Sequence, residues 1–395
     1  MDKIEELITR GVENIYPSKE ALEKVLRGGK KLRLYQGFDP SMPNLHLGNY
    51  VGVLKLSQFQ ELGHEVIFLV GDFTGMIGDP SDKLATRKLL TREETRKNSL
   101  VWKEQVSKVL SFDGSNPVKL MFNSEWNDQV TFKDLIEICS KFTVQQMLER
   151  DMFQERLKEN KTIHLHEFLY PVAQAIDCVK MEVDLELGGN DQTFNMLAGR
   201  TLMAALKGKE KFVMTTKLLV DAKGDKVGKT TGNALFLDRS PEEFFGGIMS
   251  FPDEVLSLGF ELLTRVPTEE IRVMDFKGRP MDLKKRLAFE VIMIIYGEEA
   301  AKKAQVHFEK VFQNRKAPEN LPEVKLETEN WEADRLLMKM GLVKSLSEAK
   351  RLLDQKAVEL NGLTISDQQL KIRNNDILRV GKTRFAKIRI INWDN

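Results

Sequence analysis

The sequence predicts an α/β protein built on a doubly wound, mainly parallel sheet, and three observations predict it. Val66-Ile67-Phe68-Leu69-Val70 is an unbroken apolar run between Gly63 and Gly71, the pattern of a parallel strand buried on both faces. Further strand candidates alternate with helical stretches through the first 230 or so residues, which favours a parallel sheet with crossover helices. The chain has 395 residues, enough for two or three domains with a substantial core.

Taken in order, Leu32-Arg33-Leu34-Tyr35 is the first strand candidate and runs into a turn at Gly37-Phe38-Asp39-Pro40. A helical stretch with Leu54, Leu56, Phe59 and Leu62 follows, then the 66–70 strand. Residues 81–110 are rich in Lys, Arg and Glu with few glycines, which predicts a solvated helical insertion. Val118-Lys119-Leu120-Met121-Phe122 and Val183-Asp184-Leu185-Glu186-Leu187 are the later strands. In such a sheet, ligands bind outside the carboxyl ends of the strands.

From Pro241 to Phe312 the pattern is helical, and Phe289 to Tyr296 places many apolar residues on one helix. Asn314 to Glu329 holds Pro318 and Pro322 among charges and predicts a linker. A new unit begins at Trp331, with short helices around Leu336-Leu337-Met338 and over Ser347–Leu353. Val358 to Ile365 is a strand–turn–strand signal whose Asn361-Gly362 supplies positive φ. Ile377-Leu378-Arg379-Val380 and Lys387-Ile388-Arg389-Ile390 complete the strands. The expected division is a sheet domain over 1–240, a helical domain over 241–320 and a small α+β module over 331–395.

Composition excludes several classes. With 42% hydrophobic and 30% charged residues, a disordered or membrane-embedded chain is not expected. No apolar run reaches the length of a membrane span. The first six residues mix charges where a secretory signal would need an apolar stretch. Cys139 and Cys178 are too few for a disulfide framework or a four-cysteine zinc site, so a reducing cytoplasm is the expected compartment. The net charge of +1 hides an asymmetry: residues 331–395 carry 13 Lys+Arg against 8 Asp+Glu, net +5, leaving 47 against 51, net −4, elsewhere. A basic tail suits a polyanionic partner, although small domains also drift a few charges from zero.

Four groups of residues carry chemistry. His46-Leu47-Gly48-Asn49 follows a strand and opens a helix; a helix start suits phosphate, and His46 and Asn49 face the same way with donors. A histidine capping its own turn is the simpler alternative. Lys226-Val227-Gly228-Lys229-Thr230 sits in a glycine-bearing loop, where two lysines could enclose a polyphosphate or merely be solvated. It is no P-loop, because Gly224 is one residue too close and no strand leads directly into it. Gly188-Gly189-Asn190-Asp191-Gln192 ends a strand; Asp191 could hold ribose hydroxyls, or Asn190 or Asp191 could cap the next helix. Tyr170, Gln174 and Asp177 share one helix face, either solvated or lining a pocket with Tyr35, Asp39 and Asp79.

In this order the segments resemble a class I aminoacyl-tRNA synthetase: His46-Leu47-Gly48-Asn49 is similar to its "HIGH" motif and Lys226 to Thr230 to its "KMSKS" motif, about 180 residues apart. The closer resemblance is to the bacterial tyrosyl-tRNA synthetases. It rests on Tyr35-x-Gly37-Phe38-Asp39-Pro40-Ser41, Thr74-Gly75-Met76-Ile77-Gly78-Asp79-Pro80, Tyr170…Gln174…Asp177 and Gly188-Gly189-x-Asp191-Gln192. Residues 331–395 resemble that family's S-four RNA-binding module.

The resemblance implies a Rossmann-like catalytic domain that couples tyrosine to ATP and then to the 3′ end of tRNA(Tyr). It implies His46, Asn49, Lys226, Lys229 and Thr230 as catalytic groups, and Asp39, Ser41, Gly48, Gly189 and Asp191 as ATP contacts. Tyrosine would lie among Tyr35, Asp39, Thr74, Asp79, Tyr170, Gln174, Asp177 and Gln192. A site that pairs a buried hydroxyl rejects phenylalanine, whose entry would leave the site's polar groups unpaired. Mg²⁺ would accompany ATP, a homodimer is expected, and no protein-held metal site is evident. Lys344, Lys350, Arg351, Lys356, Lys371, Arg373, Arg379, Lys382 and Arg384 are the candidate RNA contacts, a footprint suited to a phosphate backbone. Asn49 stands where the motif has its second histidine, a replacement also found in tryptophanyl enzymes, so tryptophan specificity is one alternative. A synthetase-derived RNA-binding protein without catalysis is the other.

Overall fold

The computed structural model describes residues 2–81, 89–221, 226, 235–310, 321–361, 363–365, 369–381 and 384–390. The chain forms two compact units, residues 1–301 and 302–395.

The first unit is built on six strands: β1 (Val12–Tyr16), β2 (Arg33–Phe38), β3 (Glu65–Val70), β4 (Lys119–Phe122), β5 (Leu185–Gly189) and β6 (Phe212–Thr216), in the order β1-β6-β5-β2-β3-β4. All neighbours are parallel except β1 on β6. The four strands read from the sequence are β2 to β5. The edge strand β1 and its neighbour β6 were not among them. Glu13 and Asn14 interrupt β1 and are exposed, as suits an edge, and β6 follows a charged run that masks its apolar residues.

The sequence winds outward from β2 in both directions, so the order reverses between β2 and β5. Their pairing stops at Leu34↔Leu185 and Tyr35↔Glu186, although β2 continues to Phe38 and β5 to Gly189. The carboxyl ends therefore part, and a crevice opens at the switch point. The helix after β2, Leu47–Glu61, buries Tyr50, Val53, Leu54, Leu56 and Phe59. Gly52 lets it approach, because a Cβ there would lie 2.1 Å from Gln36 Oε1.

The segment expected to be a solvated insertion is helical over Arg92–Ser99 and Trp102–Val106, but it is not solvated throughout. Trp102, Val106 and Leu110 recur at helical spacing and are buried, and Trp102 Nε1 donates to Pro43 O at 3.0 Å. The numerous charges hid that one apolar stripe.

Residues 241–301 are helical as expected. Ser240 caps the Pro241–Met249 helix in a capping box with Glu243, and Phe244, Phe245, Ile248, Phe260 and Leu287 are buried. These helices belong to the same compact unit as the sheet. Arg10 shows how they are joined: its buried guanidinium donates to the carbonyls of Phe260, Glu261, Thr264 and Val266 at 2.6–2.9 Å, satisfying groups that a helix end leaves without partners. Among the described residues, no helix is long and apolar enough to cross a membrane.

The second unit has β7 (Glu323–Leu326), β8 (Asn330–Glu332), β9 (Val358–Leu360), β10 (Leu363–Thr364), β11 (Gln369–Lys371), β12 (Ile377–Val380) and β13 (Arg384–Ile390). Five strands run β10-β9-β12-β13-β7, and β11 pairs with β8. The helices Ala333–Lys339 and Leu346–Asp354 complete a core around Leu336, Ala349, Val358, Leu378 and Ile388. Asn361 sits at φ 52° in the expected hairpin. One correction falls on the linker: residues 323–326 form β7, parallel to β13, with Leu326 buried. Only Val324 and Leu326 face inward there, too short an alternation to stand out beside Pro322 and the neighbouring charges.

Candidate active site

The crevice between β2 and β5 is a cavity of about 240 Å³. Tyr35, Asp39, Ser41, His46, Gly48, Asn49, Thr74, Asp79, Tyr170, Gln174, Asp177, Gly189, Asp191, Gln192 and Lys226 all line it. Candidates spread over almost 200 positions of sequence thus meet in one place. Lys229 and Thr230 lie outside the described residues.

At the closed end, the Leu169–Met181 helix presents Tyr170, Gln174 and Asp177. The solvated alternative for this face is overturned: Tyr170 and Asp177 are buried, with Tyr35 and Thr74 beside them. Asp39, just past β2, accepts from Tyr170 Oη at 2.8 Å and from Thr74 Oγ1 at 2.6 Å. Asp79 accepts from Gln192 Nε2 at 2.6 Å and lies 3.7 Å from the buried Arg150 guanidinium.

Asp177 is held by three residues that sequence reasoning missed. Its Oδ1 accepts from Trp126 Nε1 at 2.8 Å and Asn127 Nδ2 at 2.9 Å, and its Oδ2 from Asn123 Nδ2 at 3.1 Å. Those donors fill Oδ1 and leave one position on Oδ2, a lone pair when ionised and a proton when neutral. Burial pushes the Asp177 carboxyl up to about 8, against the three donors, which favour the ionised form. Asn123 also donates to Thr74 Oγ1 at 3.0 Å, tying the turn after β3 to the helix that carries Asp177. These three residues follow β4, some fifty positions from Asp177, so only tertiary structure brings them there.

At the mouth, His46 and Asn49 form a capping box on the Leu47–Glu61 helix: His46 Nδ1 accepts the Asn49 N–H at 3.3 Å, and Asn49 Oδ1 accepts the His46 N–H at 3.0 Å. The simpler alternative is therefore present, and it is compatible with the phosphate reading. An accepting Nδ1 places the imidazole proton on Nε2 and makes that atom a donor. Two backbone donors of this helix start are engaged: Leu47 N–H donates to Leu235 O at 2.8 Å, and Asn49 N–H to His46. Gly48 has a local reason as well, since a Cβ there would lie 2.9 Å from His46 Cε1.

Neither Asn190 nor Asp191 caps the following helix. Asp191 Oδ2 instead accepts from Lys226 Nζ at 2.8 Å. Lys226 bridges to Val220, and Phe236 bridges to His46. Leu218 and Leu219, before the loop, line the cavity, and the segment after it meets His46 through Phe236.

In the second unit, Lys344, Lys350, Arg351, Lys356, Lys371 and Arg373 are exposed. Arg379 and Arg384 are only partly so: Arg379 pairs with Glu359 at 3.0 Å and Arg384 with Glu348 at 2.8 Å. Lys382 lies outside the described residues. The cation count alone could not separate solvated cations from those tied into the fold.

A parallel sheet with its switch-point cavity, a histidine-bearing helix start and an acidic Gly-Gly turn define a nucleotide-dependent ligase of class I type. The sequence pattern of the tRNA synthetases class I (W and Y) matches residues 27–313, and the chain belongs to that family. The chain is 42% identical over 390 residues to the tyrosine–tRNA ligase of Thermotoga maritima, covering 97% of this chain and 96% of the relative. It is 41% identical over 395 residues to that of Dehalococcoides mccartyi, covering 98% of each. Within the family its bacterial relatives are tyrosine–tRNA ligases. The fold is also similar to the C-terminally truncated mitochondrial tyrosyl-tRNA synthetase of Aspergillus nidulans, with a TM-score of 0.65 at 22% identity over 78% of this chain and 94% of that one.

Proposed function

We propose that this chain is a tyrosine–tRNA ligase that activates tyrosine with ATP and then charges tRNA(Tyr). The observation that carries the reading is the joining, in one cavity, of a buried polar end, with Tyr35 and Asp177, and a mouth bearing His46, Asn49 and Lys226. Tyrosine lies with its hydroxyl between Tyr35 and Asp177 and its ammonium among Asp79, Tyr170 and Gln174, with Thr74 and Asp39 bracing these and Gln192 at the carboxylate end. Its carboxylate oxygen attacks the α-phosphorus of ATP, the bond to the bridging oxygen breaks, and pyrophosphate leaves. His46 Nε2 and the Asn49 amide donate to the crowded α-phosphoryl oxygens. Lys226, with Lys229 and Thr230, offsets charge on the departing pyrophosphate. Positioning and preorganised charge perform most of such a displacement.

Ser41, Gly48, Gly189 and Asp191 hold the nucleotide, with Asp191 on the ribose. Because Asp191 is paired with Lys226, ATP entry exchanges that pair: ribose hydroxyls replace the ammonium, and the ammonium turns to phosphate. In the second step a ribose hydroxyl at the tRNA 3′ end attacks the tyrosyl carbonyl and AMP leaves. Among the described residues no three His, Cys, Asp or Glu side chains form a metal-holding group. Mg²⁺ accompanies ATP, chelated by its phosphates.

The exposed cations Lys344, Lys350, Arg351, Lys356, Lys371 and Arg373 contact the tRNA backbone, with the helices of 241–301 on the anticodon side. Phe132 and Leu165 are 77% and 79% exposed, with Ile136 and Val144 also uncovered. A second copy of the chain covers this apolar surface. The free thiols of Cys139 and Cys178 suit a cytoplasmic enzyme.

Exchange of labelled pyrophosphate into ATP tests the reading. Exchange that depends on tyrosine is expected. Exchange driven by tryptophan instead, or tight RNA binding with no exchange, would overturn it.

A further inference from the structure

Behind the cavity wall lies a pair of charges that the proposed chemistry does not use. Glu186, on β5, and Lys211, one residue before β6, are 1% and 0% exposed, and neither borders the cavity. Lys211 Nζ is ion-paired with Glu186 Oε2 and donates to Met196 O at 3.1 Å. The other carboxylate oxygen, Oε1, accepts from two residues that do line the cavity: the Tyr35 hydroxyl, and Gln174 Nε2 at 2.9 Å. Tyr35 and Glu186 are the last register partners before β2 and β5 part, which sets their side chains next to each other at the root of the crevice.

Removing two opposite charges from water is expensive, and an apolar pair of similar volume is often at least as stable. Fold stability alone therefore gives a weak reason for this pair. Its geometry gives a stronger one. A carboxylate beside an ammonium only accepts hydrogen bonds. Tyr35 must then donate to Glu186, which turns the lone pairs of its Oη to the cavity. Gln174 must turn Nε2 to Glu186, which leaves its Oε1 as the acceptor for a ligand. Burial, then the charge of Glu186, holds the Tyr35 phenol well above its usual range, so it keeps the proton it donates.

We propose that the buried Lys211–Glu186 ion pair is a positioning device: it fixes Tyr35 and Gln174 as acceptors toward the cavity and so helps select a ligand with both a phenolic O–H and an ammonium group. This rests on the tyrosine reading above. Gly199 belongs to the same device. A Cβ there would lie 2.8 Å from Lys211 Nζ and 2.7 Å from Cys178 Sγ, so only glycine leaves room for the ammonium between the two helices that flank it.

The test compares the wild type with the double variant Glu186→Gln, Lys211→Met, which leaves no orphaned charge. Pyrophosphate exchange is measured with tyrosine and with phenylalanine, alongside the KM for ATP and thermal melting. In the folded double variant Tyr35 and Gln174 are free to turn. Its KM for tyrosine rises and its tyrosine-over-phenylalanine ratio falls, each by about tenfold, the value of one misdirected hydrogen bond. Its KM for ATP stays put. Gly199→Ala, which presses on the ammonium from outside the cavity, shifts the ratio the same way by a smaller factor. A merely structural pair would lower the melting temperature of the variants and leave the ratio intact. A folded double variant that discriminates as the wild type does overturns the proposal while leaving the tyrosine reading standing. A wild type with no tyrosine-dependent exchange overturns both.

Discussion

The two ends of the cavity are built by different means. At the closed end, Tyr35, Thr74, Tyr170 and Asp177 are buried and hydrogen-bonded to one another's supports before any ligand arrives. At the mouth, His46 and Asn49 are held by a cap at a helix start, and the Lys226–Asp191 pair is about one-third exposed on each side. The difference teaches how the work is divided. Discrimination between similar side chains needs polar groups whose desolvation is already complete, so that a ligand without the matching hydroxyl leaves them unpaired. Phosphoryl transfer needs donors that meet charge as it develops, and these can sit in half-open surroundings.

Breaking each end separately tests this division. The largest effect is expected at the mouth. His46→Ala lowers the adenylation rate by about 10²- to 10³-fold, the usual loss for one preorganised donor to developing charge, and leaves tyrosine affinity unchanged. Single-turnover adenylation with and without saturating tyrosine checks it, and a parallel loss of tyrosine affinity would merge the two ends. At the closed end, Asp177→Asn leaves the carboxamide among the same three donors and lowers the tyrosine-over-phenylalanine ratio by about 10²-fold. The KM for ATP should hold, and an unchanged ratio would remove Asp177 from recognition.

A third effect concerns stability, about 1.4 kcal/mol for each pH unit between the two values. Asp177 titrates near 3.8 in the unfolded chain and at about 8 in the folded one. Between those values the folded state keeps a proton that the unfolded state has lost. Its contribution is therefore fully present below about pH 4 and is lost as pH rises through about 8. Urea midpoints of wild type minus Asp177→Asn, taken from pH 5 to 8, should decline with pH. A flat difference would mean that the carboxylate is ionised throughout.

The sequence carried the closed end and the mouth unequally. The helix face of Tyr170, Gln174 and Asp177 was legible from spacing, but its burial was not, because polar residues on one face fit a solvated helix equally well. Asn123, Trp126 and Asn127 left no local signal, since their role exists only once β4 lies beside β3. Glu186 did leave one: a carboxylate inside a strand that the fold buries on both faces requires a partner. The four central strands stood out as apolar runs, whereas β1, β6 and β7 were short or crowded by charges. At the mouth the motif residues and the histidine cap were legible, but the engagement of Leu47 N–H could be seen only once Leu235 returned to the helix start.

The most direct measurement is equilibrium binding of tyrosine and phenylalanine without ATP, to the wild type and to His46→Ala. A closed end formed in advance binds tyrosine equally well in both proteins and rejects phenylalanine in both. Tyrosine binding that requires nucleotide, or that fails when His46 is removed, would contradict the account.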